Sequence, residues 1–242
     1  MCFVGKGPAP SKQENCMLCG KALIYGTEGK TLPCTSCGNP GHAYITCPEG
    51  HYICDACHSR IAREDIERLI FSTSSTYPVE IAKLAFEGAS LPMLGCEHAY
   101  IAGGALMAAL KNSGKGTDED IREVLRRTGK QAHGGFCGLT GVCGIAPALG
   151  AVFGVLTGSK CGTDREQKTT MEAVLEVSKS IAALTGPSCC KAYVMASLET
   201  ATALLSGKIG IELPSKKQQF RCAHSSRHPH GCREKLCPYF PL

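Results

Sequence analysis

From residue 59 onward, apolar and polar positions recur with the period of a helix. Residues 59–71 place Ile61, Ile66, Leu69 and Ile70 on one helical face, and 167–184 do the same with Met171, Val174, Leu175, Ile181 and Ala182. A short helix is predicted over 79–87. Residues 97–112 are apolar and rich in small side chains, and 142–156 are apolar almost throughout, so both read as buried helices. Residues 117–127 open on Thr117, a hydroxyl N-cap, followed by Asp118, Glu119 and Asp120 in the turn where the helix dipole favours acids. A last helix is predicted over 188–205. Before residue 59 the period is lost. Short β-like pieces at 22–25 and 43–46 stand among Gly, Cys and His, and another at 209–211 precedes a polar tail. The expected fold is mainly α: a helical domain (59–206) with an N-terminal zinc-ribbon-like metal module (15–58) and a Cys/His-rich basic C-terminal tail (207–242). Gly, Pro and Lys in residues 1–14 predict disorder.

Composition supports this division. Hydrophobic residues make up 43% of the 242, enough for a real core, and charged residues only 19%. The longest apolar run, 142–157, is broken by Gly144, Pro147, Gly150 and Gly154 and reads as a buried helix, so no membrane association is expected. Residues 1–6 lack the apolar stretch of a signal peptide, and the expected location is the cytoplasm. The net charge of +5 sits in the tail, where Lys216, Lys217, Arg221, Arg227, Arg233 and Lys235 face Glu234 alone. Phe220, Tyr239 and Phe240 accompany these cations, but no RNA-binding motif does, so nucleic acid is a minor option as a partner.

The 17 cysteines change the picture most. Length, odd count and the missing signal argue against a secreted disulfide scaffold. In a reducing, best anaerobic, setting thiols on this scale are metal ligands. Cys16-x2-Cys19 and Cys34-x2-Cys37 are each followed by a glycine, Gly20 or Gly38, suited to a turn of positive φ. Cys47-x3-His51-x2-Cys54-x2-Cys57 follows. Each two-residue spacing brings two thiolates onto one tight turn. Eight ligands suffice for two zinc ions, cross-braced or sequential. His42 and His58 read as surface residues. In so small a module metal supplies the folding energy, so the site implies support rather than catalysis.

A second set lacks the two-residue spacing. Cys137, Cys143, Cys189 and Cys190 lie at Gly-framed predicted helix starts. There, free N–H groups and the dipole are expected to lower thiol pKa values and hold an iron–sulfur cluster. Cys96 and Cys161 read as packing residues. Glu97, His98 and His133 are the acid/base candidates. In the tail, Cys222, His224, Cys232 and Cys237 form either a metal clip or, with the cations, an anion-binding patch.

Several motifs carry a resemblance. They are Cys47 to Cys57 with His51, Glu97-His98, Gly134-Gly135-Phe136-Cys137-Gly138, Val142-Cys143-Gly144, Gly186-Pro187-Ser188-Cys189-Cys190-Lys191, Cys222-Ala223-His224-Ser225-Ser226-Arg227 and Cys237-Pro238. From Cys16 on, the chain resembles an uncharacterised Cys-rich domain family of anaerobic bacteria and methanogenic archaea, sometimes fused to a methyltransferase-like domain. That resemblance implies no activity. The run from Cys137 to Ala148, with Cys189-Cys190, is also similar to the iron–sulfur α-domain of serine dehydratases and cysteine desulfidases. This analogy implies a helical fold with three cysteines holding a cluster.

Two functional expectations follow. The first is an iron–sulfur enzyme, a lyase or sulfurtransferase of sulfur or amino-acid metabolism, acting on a small-molecule substrate. In it Cys137, Cys143 and Cys189 or Cys190 hold a cluster with one open iron, and His98 or His133 handles protons. The alternative is an accessory protein that delivers metal or sulfur to a partner enzyme; a zinc-ribbon RNA-binding protein comes third.

Overall fold

The computed structural model describes residues 15–88, 91–184, 188–214 and 220–241. The disorder expected at 1–14 falls outside them, as do Gly186, Pro187, Lys216 and Lys217. Two strands, β1 (Ile24–Pro33) and β2 (Pro40–Thr46), pair antiparallel with Leu32 opposite Gly41 and a bulge between Tyr25 and Lys30. Among the described residues eight α-helices follow: α1 (Asp55–Ser72), α2 (Pro78–Phe86), α3 (Glu97–Asn112), α4 (Asp118–Gln131), α5 (Phe136–Thr140), α6 (Ile145–Thr157), α7 (Arg165–Ala182) and α8 (Cys190–Ile209). The chain is mainly helical, as its periodicity predicts. Among the described residues no helix is long and apolar enough to cross a membrane.

The body is built around α3, buried on every side from Glu97 to Leu110 and packed against α1, α2, α4, α6 and α8. Its small residues make this possible. A side chain on Gly103 would press on Val124 of α4 and on the Ala148 carbonyl of α6. Gly150 plays the same part between α6 and α7, where a methyl group would run into Val174. In α4 the expected Thr117 cap is a full capping box: the Asp120 N–H donates to Thr117 Oγ1 (3.1 Å) and the Thr117 N–H to the Asp120 carboxylate (2.8 Å). Ile121, Val124, Leu125 and Thr128 form the buried stripe of α4.

Three expectations are corrected. The strand-like piece at 209–211 is the end of α8, closed by Gly210 at φ 66°, whose N–H bonds the Ser206 carbonyl while Ile211 bonds that of Leu205. The helix expected over 142–156 begins only at Ile145, because Gly141 and Gly144 bracket a turn around Cys143. Before it stands α5, which is too short to leave a periodic signal. In α7 the buried face is Ala173, Val177 and Ile181, while Met171 and Leu175 are exposed, because α7 approaches α6 at Gly150.

The tail is folded. Phe220 packs on Phe86 of α2 and on Tyr239 (ring centroids 5.8 and 5.7 Å apart). The Cys222 N–H bonds the Tyr239 carbonyl at 2.8 Å, and Tyr239 Oη donates to Glu199 of α8 at 3.2 Å.

Candidate metal centres

The N-terminal ligands form two groups in which all four ligand atoms lie within 4.8 Å of one another: Cys16, Cys19, Cys47 and His51, and Cys34, Cys37, Cys54 and Cys57. First pair joins third and second joins fourth, so the module is cross-braced, and the β1–β2 hairpin leads from the first group to the second, whose Cys34 and Cys37 lie at its tip. The two leading turns are copies. Cys16 and Cys34 each donate to the carbonyl five residues on (Lys21, 2.7 Å; Asn39, 2.8 Å), and each accepts from Gly20 or Gly38, at φ 72° and 74°. Within the groups Cys16 Sγ lies 3.7 Å from His51 Nδ1, Cys19 Sγ 3.4 Å from Cys47 Sγ, and Cys37 Sγ 3.8 Å from Cys54 Sγ. Tetrahedral ligands on one ion at metal–sulfur bonds of about 2.3 Å stand about 3.8 Å apart. Each group contains one acidic thiol. Burial opposes ionisation of Cys16, but the N–H groups of Leu18 and Cys19 and the His51 side chain bring it down to about 6. The Cys54 N–H leads in bringing Cys34 to about 6 as well. Cys54 and Cys57 flank the first residue of α1 and its first turn, so the second group is continuous with the body. Both groups are able to hold a metal ion.

Seven further cysteines sort into two sets, not as the sequence grouped them. Cys137 on α5, Cys143 before α6 and Cys190 at the first turn of α8 are electrostatic neighbours: the first two raise Cys190, and Cys137 raises Cys143. The Gly95 N–H donates to Cys190 and the Ile145 N–H to Cys143. Cys189 turns the other way. With Cys222, Cys232 and Cys237 it lines a pocket between α8 and the tail, and His224 is not among the pocket's residues.

The helix starts do not lower Cys143, Cys189 or Cys190. Burial pushes Cys190 up to about 12 and also raises Cys143, Cys189 and Cys222, because desolvation outweighs the N–H groups. Cys96 is raised by burial too, and Cys161 is exposed.

His98 is 0% exposed. Its Nδ1 donates to the Gly95 carbonyl (3.1 Å), which leaves Nε2 to accept from Lys191 Nζ (3.2 Å). Burial and then the Lys191 charge hold His98 well below the usual histidine range. Glu97 is buried beside it, its carboxylate against Gly95. His133 is exposed and stacks edge-on with Phe136 at 5.8 Å. His224 is half-buried and lowered to about 4, by burial and then by the Lys191 and Arg227 charges.

Sequence reasoning passed over Lys191. It is 1% exposed, bonded to His98 and to the Pro92 carbonyl (3.5 Å), and lies 5.2 Å over the Phe86 ring. Burial, then Arg227, lowers it to about 8, while Cys190, Cys189 and Cys222 pull the other way, so it neighbours both new cysteine sets. The signal was present: a lysine in the first turn of an apolar helix sits at the wrong end of the dipole.

No curated protein and no solved structure matches this chain. A family described only as one of unknown function matches residues 66–240. The match starts inside α1 and omits the metal module, which the resemblance set out above includes. It contains α2 to α8 and the tail, with both new cysteine sets. The chain belongs to that family, DUF5714.

Proposed function

We propose that this chain is a zinc-supported iron–sulfur protein whose reactive centre lies at Cys137, Cys143 and Cys190. The observation that carries the reading is that these three thiols, from α5, the turn before α6 and the start of α8, lie near enough to act on one another electrostatically. Three thiolates on a four-iron cluster leave one iron open, and an open iron binds and polarises a small substrate or carries sulfur. The cluster supplies that chemistry when bound; the chain supplies the frame. The Gly95 backbone ties its N–H to Cys190 and its carbonyl to His98. His98 is thereby a positioning residue in this reading, and Glu97 packs behind it. His133, exposed beside α5, is the proton-handling candidate. The substrate class is a small sulfur compound or amino acid, and zinc at the two N-terminal groups folds the support.

One observation favours a second reading, a carrier that hands metal or sulfur to a partner enzyme. Phe136, Leu139 and Val142 around Cys137 are exposed, Leu139 by 76%. An apolar lip of this kind suits a docking protein.

Anaerobic reconstitution tests both. Wild type is expected to show cluster absorbance and an electron-spin signal that shifts when a thiol or amino-acid substrate is added. Cys143→Ser and Cys190→Ser are expected to lose that response and remain folded. Cluster signals indifferent to every small molecule, but lost to a partner protein in a Leu139-dependent way, would favour the carrier. Stoichiometric zinc with no cluster at all would contradict both.

A further inference from the structure

The pocket between α8 and the tail draws cysteines from two distant parts of the chain. Cys189 caps α8, and Cys222, Cys232 and Cys237 come from the tail. They are electrostatic neighbours: Cys237 raises Cys189, and Cys189, Cys237 and Cys232 each raise Cys222.

Three of the four thiols accept backbone N–H groups from just ahead: His224 to Cys222 (3.3 Å), Glu234 to Cys232 (3.3 Å), and Ala192, then Lys191, to Cys189. Glu49 makes the same bond to Cys47 (3.4 Å) in the first N-terminal group. Such bonds stabilise a sulfur that carries negative charge. Glu234 also holds φ at 48°, the one positive value among the described residues other than glycine. A non-glycine residue kept there implies a conformation fixed by its surroundings.

Size separates this pocket from the N-terminal groups. In those, all ligand atoms fall within 4.8 Å; among the described residues no other three ligand atoms do. The four pocket thiols are therefore neighbours spread wider than one tetrahedral ion requires. A four-iron cubane sets its thiolate corners roughly 6 Å apart.

Charge agrees. An all-thiolate cluster is an anion, and the pocket is lined by the buried Lys191. Arg233 lines the same pocket, so two cationic side chains border the four thiols.

We infer that Cys189, Cys222, Cys232 and Cys237 are the four ligands of a closed, polynuclear iron–sulfur site that fastens the tail to α8. His224 donates its backbone N–H to that site but is not a ligand. The inference stands apart from the open-iron reading, since it uses none of Cys137, Cys143 or Cys190.

The experiment is anaerobic reconstitution of the full chain with iron and sulfide, read by iron, sulfide and zinc content. With both sites filled, wild type holds about eight irons, four per cluster. Cys189→Ser, Cys222→Ser and Cys232→Ser are each expected to remove about half and leave the substrate-responsive signal in place, whereas His224→Ala removes none. Should Cys137, Cys143 and Cys190 bind nothing, wild type still holds about four irons, all lost on changing Cys232. Because a variant could fail to fold, thiol alkylation of wild type is read in parallel by mass spectrometry. On reconstitution the four thiols become protected together while exposed Cys161 stays reactive. Iron unchanged in the Cys232 variant, zinc in place of iron at these four, or alkylation of any of them as fast as Cys161 would overturn the inference.

Discussion

Lys191 is the residue on which the polar chemistry of the helical body turns. Its ammonium is held by His98 and Pro92 and borders the thiols of Cys189, Cys190 and Cys222. Lys191→Met keeps the volume and removes the charge. With clusters bound, removing a nearby cation makes reduction harder. The midpoint potential read by redox titration is expected to fall by on the order of 50–100 mV, the effect of a unit charge about 10 Å away at an effective dielectric near 20; an unchanged potential would place the cation away from the clusters. His98 gives a pH test. Its folded pKa lies well below its unfolded value near 6.5. Its contribution to stability is therefore complete above about pH 6.5 and lost progressively as pH falls from there. The ring's NMR shifts are expected to stay those of the neutral, Nδ1-protonated form at pH 6; protonation near 6.5 would contradict its burial. At this scale the sequence was legible in the cysteines and opaque in their partners. The ligand residues declare themselves by type. Lys191 and Gly95 act through burial and backbone contact across nearly a hundred residues, which spacing does not record.

The elements show the same division. The capping box of α4 and the apolar run of α3 were readable because their causes are local. The pairing of the N-terminal ligands was not, because sequential and cross-braced order share one spacing, and the β1–β2 hairpin that carries Cys34 and Cys37 away from Cys16 and Cys19 decides. Cross-bracing carries its own prediction. A strong chelator is expected to release both ions in one cooperative step and open residues 15–58 to proteolysis, while the helical circular dichroism persists, since the core around α3 lies elsewhere. Release in two independent steps with the hairpin still protected would contradict the interlocked arrangement. Two glycines separate packing from propensity. Gly103→Val forces α3 away from Val124 and Ala148 and is expected to cost about 1–3 kcal/mol in denaturant unfolding. Gly207→Ala, in open space on α8, is expected to stabilise by roughly 0.5–1 kcal/mol. Equal effects would mean that α3 is not pinned as described.

Across the whole molecule the chain divides by chemistry. The module before residue 58 brings its ligands close enough for single ions, and the family region beyond residue 66 sets its cysteines wider, in two sets that meet at Cys189 and Cys190. That meeting point was half-legible. The paired cysteines were singled out by their Gly-rich surroundings, but their opposite destinations follow from the turn into α8, with one thiol toward α5 and α6 and the other toward the tail. The tail read as a separate basic appendage because its anchors, Phe220 on Phe86 and Tyr239 on Glu199, join residues far apart in sequence. In the function proposed above, zinc and iron–sulfur chemistry occupy separate parts of one chain. Elemental analysis with iron Mössbauer spectroscopy on anaerobically purified protein tests it most directly. The account predicts about two zinc ions, one per tetrahedral group, together with four-iron clusters whose iron disappears only on changing cysteines beyond residue 130. Zinc in every cysteine set, or cluster iron lost on changing Cys34 or Cys54 alone, would contradict it.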